Sequence, residues 1–241
     1  MLGVSRDGDV VTIELQRPER RNALNDQMVV RIKGAVEEAA ASARAIVLTG
    51  QGPIFSAGAD LDGIYSDNFL EALLSMLRTI EEAPVPVIAA VNGGALGAGV
   101  QLTLAADLRV MEEDSFLAIP AAKLGVTVDP WTVRRLSALI GAGPARTILL
   151  GAERVSAKDA YSYGFANKIG DLADAQAWAA QIAQLAPLTL KHLKLVFNDD
   201  GSRGTETPAQ QAALAAAWSS ADAQEARVAR QEKRTPRFVG R

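Results

Sequence analysis

The segment VNGGALGAGVQLTLAAD, residues 91–107, decides how this chain is read. It places four glycines between the apolar run VIAAV and a second apolar stretch in which Gln101 is the lone amide. A strand that ends in glycines and passes into a helix brings backbone N–H groups close to another group, at the positive end of the helix dipole. Two phosphate-binding patterns fail here. A Walker loop closes on Gly-Lys-Ser/Thr, whereas this turn closes on Gly99-Val100-Gln101. The dinucleotide fingerprint is G-x-G-x-x-G, whereas the order from Gly94 is G-x-x-G-x-G, and it comes late in the chain. What remains is a turn whose N–H groups meet an anion or a developing oxyanion, or one that serves close helix–strand packing.

A second segment has the same build. TGQGPIFSAGADL, residues 49–61, follows the apolar run AIVLTG and supplies the small residues Ser56-Ala57-Gly58-Ala59. Two such loops, each behind a buried strand and about forty residues apart, could offer one backbone N–H each to a single oxygen. Two fixed donors aimed at a carbonyl oxygen form an oxyanion hole.

The bulk composition sets limits on partners. The 241 residues are 49% hydrophobic and 22% charged, enough for one sizeable core. A net charge of −3 does not favour nucleic acid or an anionic membrane surface, so an anionic ligand needs a local basic cluster. The sequence has no cysteine, which removes disulfides, thiolate metal sites and a cysteine nucleophile. No apolar run approaches the roughly 18–20 residues of a membrane span, and the N-terminus lacks a signal-peptide core. A cytoplasmic protein without a metal is expected.

Asp7-Gly8 between alternating runs predicts an N-terminal hairpin whose second strand is VVTIEL. Asn25 is the expected N-cap of a helix to about Ala41, with Val29, Ile32 and Val36 inward. Strands are expected over residues 45–50 and 87–93, with helices over about 68–83 and 98–105. LRVM and SFLAI read as short strands, and beyond Asp129-Pro130 the pattern is almost wholly helical. From Pro187 the composition turns to Ala, Gln, Lys and Leu, so two domains are expected, 1–186 and 187–241. Thr207 followed by Pro208 predicts a capped helix after the break NDDGSRGTETP. The lone histidine, His192, has no acid beside it and is not expected to be catalytic.

RPERRNAL, then G-x-x-F-S-A-G-A-D-L, then P-V-I-A-A-V-N-G-G-A-L-G-A-G, then A-A-D-L-R-V resembles the crotonase (enoyl-CoA hydratase/isomerase) superfamily from about residue 10 to 170. The tail E-K-R-x-P-R-F is also similar to the family's. The resemblance implies an α/β fold, a crotonase-like spiral of ββα turns with a helical C-terminal trimerisation region. It implies that the N–H groups of Ala59 and Ala98 form an oxyanion hole for an acyl-CoA thioester. Coenzyme A would be met by Arg17, Arg20 and Arg21 and by the loop Phe55, Ser56 and Ala57 with Asp60 and Leu61, while Phe238 and Arg241 of the tail would reach the coenzyme A of a neighbouring subunit. For Asp60, fixing the loop through backbone N–H bonds is the stronger expectation. Homotrimers or dimers of trimers are implied, with no cofactor beyond the coenzyme A of the ligand.

The likeness stops at the chemistry. Hydratases of the family use two glutamates, at the positions that match Gln101 and Ala121 here. Glutamine orients water but is no base near neutral pH, and alanine does neither. Asp129, in Val128-Asp129-Pro130-Trp131, is the nearest substitute acid, against a role as helix N-cap. Ile119, Leu124 and Val126 make the vacated centre apolar, and Trp131 lines the acyl pocket or fills the core. The expected function is binding of fatty acyl-CoA with little or no hydration, as a carrier or sensor in lipid metabolism. The alternative is an active hydratase or isomerase that uses a Gln101-positioned water or Asp129.

Overall fold

The computed structural model describes residues 1–60 and 67–240. The chain opens with β1 (Leu2–Asp7), β2 (Val10–Leu15), a 3-10 turn at Pro18–Arg20, α1 (Asp26–Ala40), β3 (Ala45–Gly50) and α2 (Asp67–Glu82). It continues with β4 (Val87–Val91), β5 (Gly94–Leu96), α3 (Ala98–Ala105), β6 (Leu108–Met111), β7 (Phe116–Ala118) and a 3-10 turn at Ala121–Leu124. Then come α4 (Pro130–Ile140), α5 (Ala142–Leu149), β8 (Arg154–Ser156), α6 (Ala157–Ser162), β9 (Lys168–Ile169) and α7 (Leu172–Ala183). The last helices are α8 (Pro187–Phe197), α9 (Pro208–Trp218) and α10 (Ala221–Gln231). The α/β class expected from the sequence is the one found.

These elements form two compact units, Met1–Ala118 with Val155–Asp199, and Ile119–Arg154 with Asp200–Arg241. The first is built on a sheet of order β1-β2-β3-β4-β6-β9 and a smaller one of order β5-β7-β8. β1 and β2 pair antiparallel, while β2, β3, β4, β6 and β9 run parallel. Parallel strands covered on both faces read as unbroken apolar runs, and every residue of β3 and β4 is buried. Ala175, Ala179, Ile182 and Ala183 of α7 pack on Val10, Val47, Ile88, Ala90 and Val110. Alanines on the inner face let this helix lie close to the sheet.

Helix α1 starts where expected, with the Asn25 side chain accepting from the Met28 N–H, and it buries Val29, Ile32 and Val36. α8 belongs to this first unit. Its Lys194 ammonium is buried and donates to the Ile80 and Val85 carbonyls and to Asp107, at 3.0, 3.1 and 2.8 Å. All three ammonium protons thus have acceptors. Composition, which shifts at Pro187, does not reveal a buried ion pair.

In the second unit α4 packs on α5 and α10 packs on the Ala121–Leu124 turn and on α9. Arg135 and Asp200 form a 2.6 Å ion pair, and Lys123 donates to the Ala152 carbonyl at 2.8 Å. Thr207 caps α9 in a capping box with Gln210, with Pro208 in the first turn.

Three expectations need correction. The Gly-rich turn contains a strand, β5, parallel to β7. Ala121 lies in a 3-10 turn just past the short strand expected at SFLAI, which itself ends at Ala118. β8 and β9 interrupt the stretch read as helical. Strands of two or three residues carry no period of their own, and their partners are distant in sequence.

Candidate functional site

Three segments of the first unit, residues 21–24, the loop 55–60 and the Gly-rich turn, meet backbone to backbone. Ser56 forms a parallel bridge with Ala95 of β5: its N–H donates to the Gly94 carbonyl at 3.2 Å, and its carbonyl accepts from Leu96 at 2.9 Å. On the other edge, Ala59 bridges Leu24, with Leu24 N–H to Gly58 O at 2.8 Å and Asp60 N–H to Leu24 O at 2.7 Å. The loop 55–60 is therefore a short extra strand laid between residues 21–24 and β5.

Glycine permits this approach. A Cβ on Gly99 would lie 2.6 Å from the Ser56 carbonyl oxygen. A Cβ on Gly58, whose φ is +89°, would lie 2.5 Å from the Leu96 oxygen and 3.2 Å from the Ala98 nitrogen. These glycines thus bring two loops of the protein together. The segment read as open to a ligand is first of all a packing surface for its neighbour.

The bonding leaves two donors over. In the Leu24 bridge, Gly58 O and Asp60 N face residue 24, so the Ala59 N–H points to the opposite edge. Ala98 is the first residue of α3, where an N–H has no partner within the helix. Neither N–H has an acceptor among the described residues. The donors stand on adjoining segments, one of them at a helix N-terminus.

Side chains brace this arrangement. Arg17 pairs with Asp60 at 3.0 Å and donates to the Ala23 carbonyl at 2.7 Å. Asp60 thus ties the loop through an ion pair with Arg17. Asn92 donates to the Gly50 and Gly52 carbonyls, both at 2.6 Å, and accepts from the Gly50 N–H. Asn22 is wholly buried and contacts residues 17, 51 and 54. Sequence reasoning gave no role to Asn22 or Asn92. Loop asparagines carry no periodic signal, although Asn22 sits inside the quoted RPERRNAL motif.

Among the residues expected to meet coenzyme A, Arg20 and Arg21 are exposed. Phe55 and Ser56 are both 0% exposed, whereas Ala57, Ala59 and Asp60 are half-buried. Leu61 and Arg241 lie outside the described residues. Gln101 is buried in α3, all eight residues of which are buried. At the other end of α3, the buried guanidinium of Arg109 donates to the carbonyls of Thr103 and Ala106. It thereby satisfies the helix C-terminus and opposes its negative dipole end.

The remaining candidates belong to the second unit. Asp129 caps α4: its Oδ1 accepts from the Thr132 N–H at 3.1 Å and its Oδ2 from the Thr132 hydroxyl at 2.6 Å. Trp131 is buried, with the Arg203 guanidinium 4.9 Å above its ring. Ile119 is buried, while Ala121 and Leu124 are half-buried in and beside the turn. Phe238 is exposed on a tail pinned to α10. Asp222 accepts from the Val239 and Gly240 N–H groups, and Glu225 accepts from the Arg237 N–H and from Arg234. The Arg234 guanidinium, helped by the Arg237 N–H, holds the Glu225 carboxyl down at about 2. A cavity of about 410 Å³ beside this tail is lined by Ala122, Gly125, Val126, Ala216 and Phe238.

The model of the family described as enoyl-CoA hydratase/isomerase matches residues 5–241. The chain belongs to the enoyl-CoA hydratase/isomerase family. It is 50% identical over 242 residues to the "Probable enoyl-CoA hydratase echA6" of Mycobacterium tuberculosis, with 100% of each chain covered. A solved enoyl-CoA hydratase/isomerase from Pseudoalteromonas atlantica superposes with a TM-score of 0.87 at 27% identity, covering 99% of both chains. A methylmalonyl-CoA decarboxylase structure shares the fold, with a TM-score of 0.91 at 24% identity over 100% of this chain and 98% of that one. The crotonase fold expected from the sequence motifs is thereby established. Among the described residues, no helix is long and apolar enough to cross a membrane.

Proposed function

We propose that this enoyl-CoA hydratase/isomerase family member binds a fatty acyl-CoA or enoyl-CoA thioester and carries out little or no hydration. The observation that carries this reading is the pair of acceptor-free N–H groups, Ala59 and Ala98, on segments locked together by the Ser56 bridge. A thioester oxygen accepting from both would gain negative character without costly rearrangement of the protein. Acyl-CoA thioesters are the ligands expected of such a hole, and coenzyme A enters as part of the ligand.

Hydration also needs a group that moves protons. Gln101, buried in an apolar helix, offers an amide. Ala121 offers a methyl group. Asp129 commits both carboxylate oxygens to Thr132. A protein that holds the thioester without turning it over serves as a carrier or sensor of acyl-CoA in cytoplasmic lipid metabolism. Arg20, Arg21 and Ala57 are the described candidates for coenzyme A contact, because Arg17 is engaged with Asp60. Leu61 belongs to the same proposal, and the tail residues Phe238 and Arg241 are proposed to reach the coenzyme A held by a neighbouring subunit.

An active hydratase or isomerase is the second reading, with Gln101 orienting water or Asp129 acting as acid. The names of the relatives favour it, and the cap bonds of Asp129 oppose its second form. A homotrimer or dimer of trimers is proposed as the assembly. It is supported by Leu188 and Phe197 of α8, which are 81% and 73% exposed, and by the absence of buried residues in α9.

Calorimetry with free coenzyme A and with short and long saturated acyl-CoA tests the binding reading. Acyl-CoA is expected to bind at least about tenfold more tightly than coenzyme A, a difference of about 1.4 kcal/mol. Failure to bind any acyl-CoA contradicts it.

A further inference from the structure

Arg21 and Asn22 are consecutive non-glycine residues in the left-handed region, with φ of 51° and 55°. L residues adopt this region reluctantly, asparagine less so than most, and it persists where the surroundings dictate it. Here it turns two successive carbonyls toward the loop 55–60. The Arg21 oxygen accepts from the Ala57 N–H at 2.9 Å, and the Asn22 oxygen accepts from the Ser56 hydroxyl at 2.8 Å. That hydroxyl in turn accepts from the Gly58 N–H at 3.2 Å.

The Asn22 side chain fixes the same loop at its other end. Nδ2 donates to the Gln51 and Ile54 carbonyls at 2.9 and 2.8 Å, and Oδ1 accepts from the Arg17 N–H at 2.9 Å. Both amide protons and the amide oxygen are thus used, in a residue that is 0% exposed. Asn22 holds the loop at Gln51, Ile54 and Ser56, and the hydroxyl relay extends its hold to Gly58. The next N–H in the chain is that of Ala59.

We propose that Asn22 is a positioning residue that aims the Ala59 N–H, so that it and the Ala98 N–H meet on one thioester oxygen. The inference rests on the assignment of those two donors to the thioester. Asn22 is buried beneath the loop and acts on the ligand only through Ala59. A solely structural asparagine would affect how much protein is folded. A positioning asparagine alters how strongly the folded protein polarises the bound carbonyl.

The test is isotope-edited infrared spectroscopy of an acyl-CoA labelled with 13C at the thioester carbonyl, with wild type, Asn22→Gly and Ser56→Ala. Glycine keeps the left-handed backbone and removes the side-chain tethers, whereas Ser56→Ala removes the relay and leaves Asn22 intact. In the wild type the bound carbonyl band should move to lower frequency than in free ligand. In Asn22→Gly, measured below its melting temperature, most of that displacement should be lost. Its acyl-CoA affinity should fall about tenfold while coenzyme A affinity stays within about twofold. Ser56→Ala should show the same change in smaller measure. A wild-type displacement that survives unchanged in both variants overturns the role of Asn22 and leaves the donor assignment standing. A wild-type band at the free-ligand frequency overturns the donor assignment, and the role of Asn22 with it. Should Asn22→Gly not fold, the Ser56→Ala result decides between these outcomes.

Discussion

Two loops of this protein are held by side chains that accept or donate to backbone, and they are held in opposite ways. In the first unit the loop 51–60 is braced by the buried Asn22 and the half-buried Asn92. In the second unit the tail 234–240 is braced by Asp222 and Glu225 at the surface. Neutral amides give bonds that pH does not alter, and removing the buried Asn22 side chain leaves partly buried backbone groups without their partner. Surface carboxylates give bonds that water and salt replace at little cost. The first arrangement suits a site whose donors must stay fixed. The second suits a segment that is ordered under ordinary conditions and released under others.

The contrast sets an order of effects. Asn22→Ala should be the most damaging change, because it strips partners from Gln51, Ile54 and Arg17 and forces alanine into a left-handed backbone. A loss of about 3–5 kcal/mol is expected, from unpaired buried groups and strain together, and chemical denaturation measures it. A loss below about 1 kcal/mol would put this loop in the same class as the tail. Gly58→Ala comes next. Its Cβ would strike the Leu96 oxygen at 2.5 Å, and a cost of about 1–3 kcal/mol is expected. It should also weaken acyl-CoA binding more than coenzyme A binding, since the clash lies beside the Ala98 nitrogen.

The tail should respond least. Glu225→Gln should leave the melting temperature unchanged within error and increase hydrogen exchange at the Arg237 amide. The pH dependence has a definite sign. Glu225 has a folded-state value of about 2, lowered from 4.5, so its contribution is complete above about 4.5 and fades as pH falls toward 2. The Arg237 amide resonance should titrate with a midpoint near 2, and a midpoint at the ordinary glutamate value would mean that the tail is not latched in solution.

Much of this was legible in the residues, for reasons that are local. Asn25, Thr207 and Asp129 each announce a helix start, and each side chain accepts the N–H that such a cap requires. The parallel strands announce themselves as apolar runs. β5 stayed hidden because Gly94-Ala95-Leu96 reads as a turn and becomes a strand only through β7 and Ser56. At the site, the motifs brought Ala59 and Ala98 to attention, and the bonding leaves both N–H groups over. Sequence could not say that Phe55 and Ser56 face inward, nor that Arg17 is taken by Asp60. Those facts depend on which edge of the loop meets residues 21–24. The bracing role of Asn22 follows from the same pairing.

Retention of an enoyl thioester without hydration is the behaviour proposed for this fold. The most direct measurement mixes the purified protein with a short and a long trans-2-enoyl-CoA, at concentrations shown by calorimetry to saturate it, and follows the conjugated enone absorbance. Absorbance that persists with the ligand bound is the expected result. Loss at a typical enzyme rate, on the order of 10 per second, would contradict it and make Gln101 or Asp129 part of a working hydratase.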